Sequence, residues 1–252
     1  MNYLIVVNAD DFGMSSGVNN SILRSFELGY ISTTTIMCNM PGFEEACQIA
    51  HEKKLIDRIG IHLNLTEGFA LSDKLKRLDK FCDSDGRMFK SFKGHLFNST
   101  EREAVYQELE MQLNRLNKFG ITPTHADSHH HSHHFIGTQS LVIRLARSNG
   151  IPAVRLRFNF GNLSPQRKLY SKMFNMRLSL AGLAKTKYFC EIRSVNNSLF
   201  EKNKPVEVMV HPYPGKVGEI VNYNAGKPLP PIIEKYLPKT EFITYSFLNK
   251  DV

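Results

Sequence analysis

Tyr3-Leu4-Ile5-Val6-Val7-Asn8-Ala9-Asp10-Asp11-Phe12-Gly13 runs five apolar, mostly branched residues straight into two adjacent carboxylates. A continuous apolar run of this length reads as a strand buried on both faces, as in a parallel sheet. In α/β folds, ligands bind where such strands end. Taken alone, Asp10-Asp11 fits a solvated turn or a helix cap. At the end of a first buried strand, the pair becomes a candidate for one metal ligand and one base.

Working outward, Ser16 can cap a helix over Gly17–Leu28, with Val18, Ile22 and Phe26 at intervals of four and Gly29 as its stop. Thr33–Cys38 reads as a second strand and Phe43–Lys54 as an amphipathic helix. Ile59–Leu65 is a third strand, on which His62 and Asn64 share a face. Thr100 with Glu103 makes a capping box for a helix to about Lys118, with Val105, Leu109, Leu113 and Leu116 on its buried stripe. Gly137–Asn149 is helical, Ala153–Phe158 is a strand with Arg155 and Arg157 on one face, and Val206–Val210 is a buried strand entering His211-Pro212-Tyr213-Pro214-Gly215. Leu229–Tyr236 reads as a final helix and Phe242–Phe247 as a final strand. This alternation predicts an α/β chain: an irregular (β/α) barrel, TIM-barrel-like, with its site at the carboxyl ends of the strands. One domain over 1–252 is expected, with lid or interface insertions near 66–98 and 160–200.

The second signal is His125-Ala126-Asp127-Ser128-His129-His130-His131-Ser132-His133-His134, which holds six of the ten histidines. An alternating strand puts His125, Asp127, His129, His131 and His133 on one face; a helix instead stacks His125, His129 and His133. The Gly120 and Pro123 just upstream favour the strand. The run is internal and interrupted, unlike a purification tag, and clustered imidazoles favour a metal or catalytic site over a solvated loop. No more than three or four of these residues can bind one ion.

Hydrophobic content of 42% and charged content of 22% are those of an ordinary globular protein. No stretch is apolar enough to span a bilayer, and the start lacks the pattern of a signal peptide, so a cytoplasmic location is expected. Cys38, Cys47, Cys82 and Cys190 show no paired spacing and are expected as reduced thiols. The net charge of +8 keeps an anionic partner in view, although no aromatic-interleaved basic motif points to nucleic acid, and none is expected as a partner. Residues 166–187 combine Leu169, Met173, Met176, Leu180 and Leu183 with several cations. They read as an amphipathic helix that covers the core or closes a homodimer; a peripheral membrane contact is the competing reading.

NADDFG at 8–13, GIHLNLTEG at 60–68, PTHADSHHHSH at 123–133 and the strand with HPYPG at 206–215 together resemble the YdjC-like family of carbohydrate deacetylases, which includes the chitooligosaccharide deacetylases. The resemblance implies an irregular β/α barrel that removes an N-acetyl group from a sugar with one divalent ion, magnesium or zinc. Carried over residue by residue, it implies Asp11, His62 and His129 as metal ligands, Asp10 as general base and His211 as general acid. His125, Asp127, Arg155 and His133 are supporting or substrate-binding candidates, and Arg155 is the group expected to keep Asp10 ionised. Segments 66–98 and 166–187 match no motif, so the substrate is the least determined point: a free chito-oligosaccharide, or a nucleotide- or lipid-linked amino sugar. Two alternatives use the same histidines. A barrel phosphodiesterase or endonuclease would need two or three metals, and a non-enzymatic metal-binding protein would have no use for Asp10 or His211.

Overall fold

A computed structural model describes residues 3–92 and 96–248. Its centre is a sheet of six parallel strands, β1 (Ile5–Phe12), β2 (Thr33–Ile36), β3 (Ile59–Leu63), β4 (Ala126–Ser128), β5 (Tyr188–Glu191) and β6 (Val206–Val210), in the order β4-β3-β2-β1-β6-β5. The helices α1 (Ser16–Glu27), α2 (Phe43–Glu52), α3 (Asp73–Lys76), α4 (Ser99–Lys118), α5 (Ile136–Ser148), α6 (Pro165–Leu180), α7 (Leu229–Tyr236) and α8 (Tyr245–Leu248) complete the chain with a small antiparallel sheet of β7 (Pro212–Pro214), β8 (Ile220–Asn222) and β9 (Lys227–Pro228).

The long sheet curls, and its two edges are joined irregularly. The Ala126 N–H donates to Ala153 O and the Arg155 N–H to Ala126 O, both at 2.9 Å, while the Ala184 N–H donates to Pro152 O at 2.9 Å. Farther along, the Phe189 N–H of β5 donates to Asn159 Oδ1 at 2.9 Å. The expected strand over Ala153–Phe158 is therefore reduced to bridges at Ala153 and Val154. A side-chain amide replaces the ladder there, and the Arg155 side chain turns into the barrel.

Alternation along β1 separates the two sides of the wall. Ile5, Val7 and Ala9 face the helices and join the main apolar core with Val18, Ile22 and Phe43. Val6 faces inward and packs with Ala153 and Tyr245, which close the amino end of the barrel. Above this plug the interior is polar. Tyr245 stacks on His125 with ring centroids 3.9 Å apart, and His125 Nε2 meets Asn8 Oδ1 at 3.1 Å. Tyr245 also accounts for the departure from the expected last strand. Ile243 still donates its N–H to Ile5 O at 2.8 Å, but the chain then turns into α8 so that the Tyr245 ring enters the barrel.

Gly60 makes room for that stack. A Cβ there would lie 2.5 Å from His125 Cε1, far inside van der Waals contact. Gly60→Ala is expected to destabilise the fold by about 1–3 kcal/mol through forced repacking. An unchanged melting temperature would show that the imidazole can move aside freely.

Helix starts differ from the sequence reading by one or two residues. Ser15 caps α1, and the capping box of α4 is Asn98 with Glu101, leaving Glu103 free to pair with Lys74. The 66–98 segment, expected as a lid or interface, sends Leu75, Phe81, Cys82 and Met88 into the main core. Buried Glu108 of α4 holds it, accepting the N–H groups of Leu71 at 2.9 Å and Ser72 at 2.7 Å. All four cysteines are buried and free. No helix among the described residues is long and apolar enough to cross a membrane. On α6 the apolar stripe does not cover the core: Ser171, Phe174 and Leu178 are the buried residues, whereas Leu169, Met173, Met176 and Leu180 are exposed, and Leu183, just beyond the helix, is buried.

Candidate active site

At the carboxyl end of the strands a cavity of about 480 Å³ is lined by Asp10, Asp11, His62, His129, His211 and Tyr213, among others. Five of the six are the sequence candidates for metal and catalysis, gathered from β1, β3 and the residues that directly follow β4 and β6.

Consecutive residues of a strand point to opposite faces, so Asp10 and Asp11 cannot both reach a cavity from regular backbone. Asp11 takes a left-handed φ of 74°, and the β1–β2 register shifts between Ala9 and Phe12. This bulge brings both carboxylates to the same side. A similar device shapes the histidine run. The expected long strand ends after Ser128; His130 and His131 adopt left-handed φ of 49° and 52° within a tight 3-10 turn. Ser128 Oγ closes that turn by accepting the His133 N–H at 2.8 Å. The alternating array is thereby broken up, and His129 alone of the run meets Asp11.

Asp11 is the hub. Its Oδ1 lies 2.9 Å from His129 Nδ1 and 3.3 Å from His62 Nε2, while Tyr213 donates its hydroxyl to Oδ2 at 3.0 Å. The ligand atoms of Asp11, His62 and His129 all fall within 4.8 Å of one another. His62 is fixed from behind, its Nδ1 being 2.6 Å from Asp127 Oδ1. A carboxylate on one ring nitrogen sets the tautomer that leaves the other free for a metal. Burial would lower the His62 pKa, but Asp127, Asp11 and Asp10 outweigh it and push it up to about 10. The acidic groups around this ring thus call for a cation.

Asp10 sits beside this group and is held differently. Arg155 grips it with two bonds, Nη1 to Oδ2 at 2.8 Å and Nη2 to Oδ1 at 2.7 Å, and Asn8 Nδ2 donates to Oδ1 at 2.9 Å. Burial alone would raise the Asp10 carboxyl, yet the guanidinium more than reverses this and keeps it well below the usual carboxylate range. Arg155 also reaches Asp127 Oδ2 at 2.6 Å and Glu207 Oε1 at 2.7 Å. His211 Nε2 stands 3.8 Å from Asp10 Oδ2. The amide of Asn224 donates to His211 Nδ1 at 3.1 Å, so the neutral ring carries its proton on Nε2, facing Asp10.

Arg155, Asp127 and His125 lie below the cavity, inside the barrel. His133 lies to the side, with Nδ1 at 2.5 Å from Ser128 Oγ and its ring near Phe174. Burial lowers the pKa of His125, His133 and His134, brings His131 to about 3, and together with His129 brings His130 to about 4. These rings are neutral at physiological pH, and His130 and His131 also line the cavity. Sequence reasoning missed Glu207, Tyr245 and the role of Tyr213. A carboxylate in the middle of the apolar run Val206–Val210 was a readable signal for Glu207; Tyr245 offered none.

A profile of the family described as YdjC-like protein matches residues 4–220. The carbohydrate deacetylase of Halalkalibacterium halodurans is 30% identical over 252 residues, covering 98% of each chain. That of Geobacillus stearothermophilus is 33% identical over 207 residues, 82% of this chain and 78% of the relative. A match to the carbohydrate deacetylase of Clostridium beijerinckii is 38% identical but spans 59% of this chain and 58% of the relative. In fold, a putative cellobiose-phosphate cleavage protein from Enterococcus faecalis superposes over 99% of this chain and 100% of its own, with a TM-score of 0.72 at 20% identity. The profile begins at β1 and takes in every strand of the curled sheet, and one relative is matched over nearly its whole length; the chain belongs to the YdjC-like family.

Proposed function

We propose that this chain is a metal-dependent hydrolase that removes the N-acetyl group from an amino sugar, with chito-oligosaccharide or a related glycan as substrate. The observation that carries the reading is the convergence of Asp11, His62 and His129 in one cavity, with Asp10 and His211 3.8 Å apart beside them. One carboxylate and two imidazoles suit a single divalent ion, with magnesium and zinc the leading candidates, and leave positions open for water and substrate. The surplus of negative charge around His62 fits such an ion.

When bound, the ion would polarise the acetyl carbonyl and acidify the attacking water. Asp10, kept ionised by Arg155 and oriented by the guanidinium fork and Asn8, is the carboxylate that would accept a proton from an attacking water. His211 holds a proton on Nε2 at the rim, the position from which it can protonate the departing amine. Tyr213 and Asp127 orient Asp11 and His62. The cavity volume falls in the range of small-ligand sites, roughly 300–1,000 Å³.

The phosphodiesterase reading is not favoured. A second group, Asp10 with His62 and Asp127, shares His62 with the first, and Arg155 already occupies both its carboxylates. Acetate release from a panel of N-acetylated sugars tests the proposal, using protein stripped of metal and reloaded with one divalent ion at a time. We expect release only in reloaded samples, at about one ion per chain. A loaded protein that releases acetate from none of the panel would overturn it.

A further inference from the structure

Helix α6 presents two unlike faces. Its buried side lies over the histidine turn, with the Phe174 ring 6.0 Å from His133 and 5.3 Å from His134. On the opposite side Leu169, Met173, Met176 and Leu180, at intervals of four, three and four, are 62%, 53%, 54% and 79% exposed. At helical spacing these four share one face. Single exposed apolar chains need no explanation, but an aligned stripe marks a contact surface.

Cations flank the stripe on both sides. One groove, of about 390 Å³, is lined by Lys168, Lys172 and Lys185; the other, of about 660 Å³, by Arg144, Arg147 and Arg177. Between Asp127 and Glu191 the chain holds ten Lys or Arg and no Asp or Glu, so the remainder carries 22 basic against 24 acidic residues. The whole positive surplus of the protein comes from this segment.

Three occupants can be weighed. A second copy packed symmetrically on this face would set cation against cation. A nucleic acid would neutralise the lysines and arginines but leave Leu169, Met173 and Leu180 in water. An anionic bilayer satisfies both features, with apolar side chains entering the headgroup boundary and phosphates meeting the flanking cations. We propose that α6, with the adjoining arginines of α5, docks this protein on an anionic lipid surface.

Flotation of the full chain with phosphatidylcholine vesicles, alone or with phosphatidylglycerol, tests this. Binding is expected only with phosphatidylglycerol, and to weaken at least about tenfold both in K168E/K172E and in L169Q/M173Q. Unchanged circular dichroism and unchanged acetate release from a soluble sugar would show that these exposed changes spare the fold. No flotation with phosphatidylglycerol overturns the proposal, as does flotation that survives L169Q/M173Q. Capture of an oligonucleotide by parent and L169Q/M173Q alike, with no flotation, would assign the face to nucleic acid. A dimer in sedimentation velocity that L169Q/M173Q dissociates would assign it to a second copy; either overturns the proposal.

Discussion

Asp10→Asn is expected to lower kcat/KM by about 10²–10⁴-fold while leaving the metal content unchanged. The amide keeps the shape of the side chain but has no lone-pair site basic enough to take a proton from water. The fall belongs in kcat, because Asp10 is outside the Asp11–His62–His129 group. The fold tolerates the change, since Arg155 retains Asp127 and Glu207 as partners. Metal analysis beside steady-state kinetics separates the outcomes. Full turnover would remove Asp10 from the mechanism, and a loss of metal in step with activity would reassign it as a ligand.

The largest effect on stability is expected from Arg155→Met. This side chain is fully buried and pairs with three buried carboxylates, Asp10, Asp127 and Glu207. Removing one partner of a buried ionic group costs about 3–5 kcal/mol, roughly 6–20 °C in melting temperature for a chain of this size. Even with the arginine present, burial pushes Glu207 up to about 7 against the pull of Arg155 and Tyr245. Without it, the folded-state pKa of Glu207 rises further, and Asp10 loses the partner that holds it down. An acid raised in the folded state contributes stability that is full below its unfolded pKa and lost as pH rises through the folded one. Arg155→Met is therefore expected to melt higher near pH 5 than near pH 8. In the parent, the depressed Asp10 and Asp11 lose their contribution only as pH falls below the unfolded carboxylate range, whereas Glu207, raised to about 7, gives the same sign, so the variant is expected to lose more than the parent between pH 5 and pH 8. Scanning calorimetry across that range checks the sign, and a variant with the pH profile of the parent would show that Arg155 does not carry the charge balance.

Much of this was legible because buried parallel strands and their ends leave local marks. The apolar run before Asp10 and the motifs around His62 and His211 fell where the sheet carries them. The histidine run was read as one continuous strand, but the strand stops at Ser128, since nothing in the composition announces two successive left-handed residues at His130 and His131. Periodicity found the stripe on α6 but could not tell which side of the helix the core would take; Phe174, not Leu169, became the buried face. Tyr245 was invisible because its partners, His125 and Glu207, are 120 and 38 positions away.

The central position of β1 bears on how the protein is made. Its neighbours are β2 and, some two hundred residues later, β6, whose Val206 pairs with Ile5. During synthesis the first strand emerges early and waits, at about 5–20 residues per second, some tens of seconds for its second partner. Over that time the nascent chain exposes an unpaired strand edge beside Asp10, and Arg155 is translated before Glu207 can meet it. Ribosome-bound chains ending before β6 should thus be protease-sensitive and dependent on chaperones, and folding should come late, nearly all at once, when the last third of the polypeptide leaves the exit tunnel.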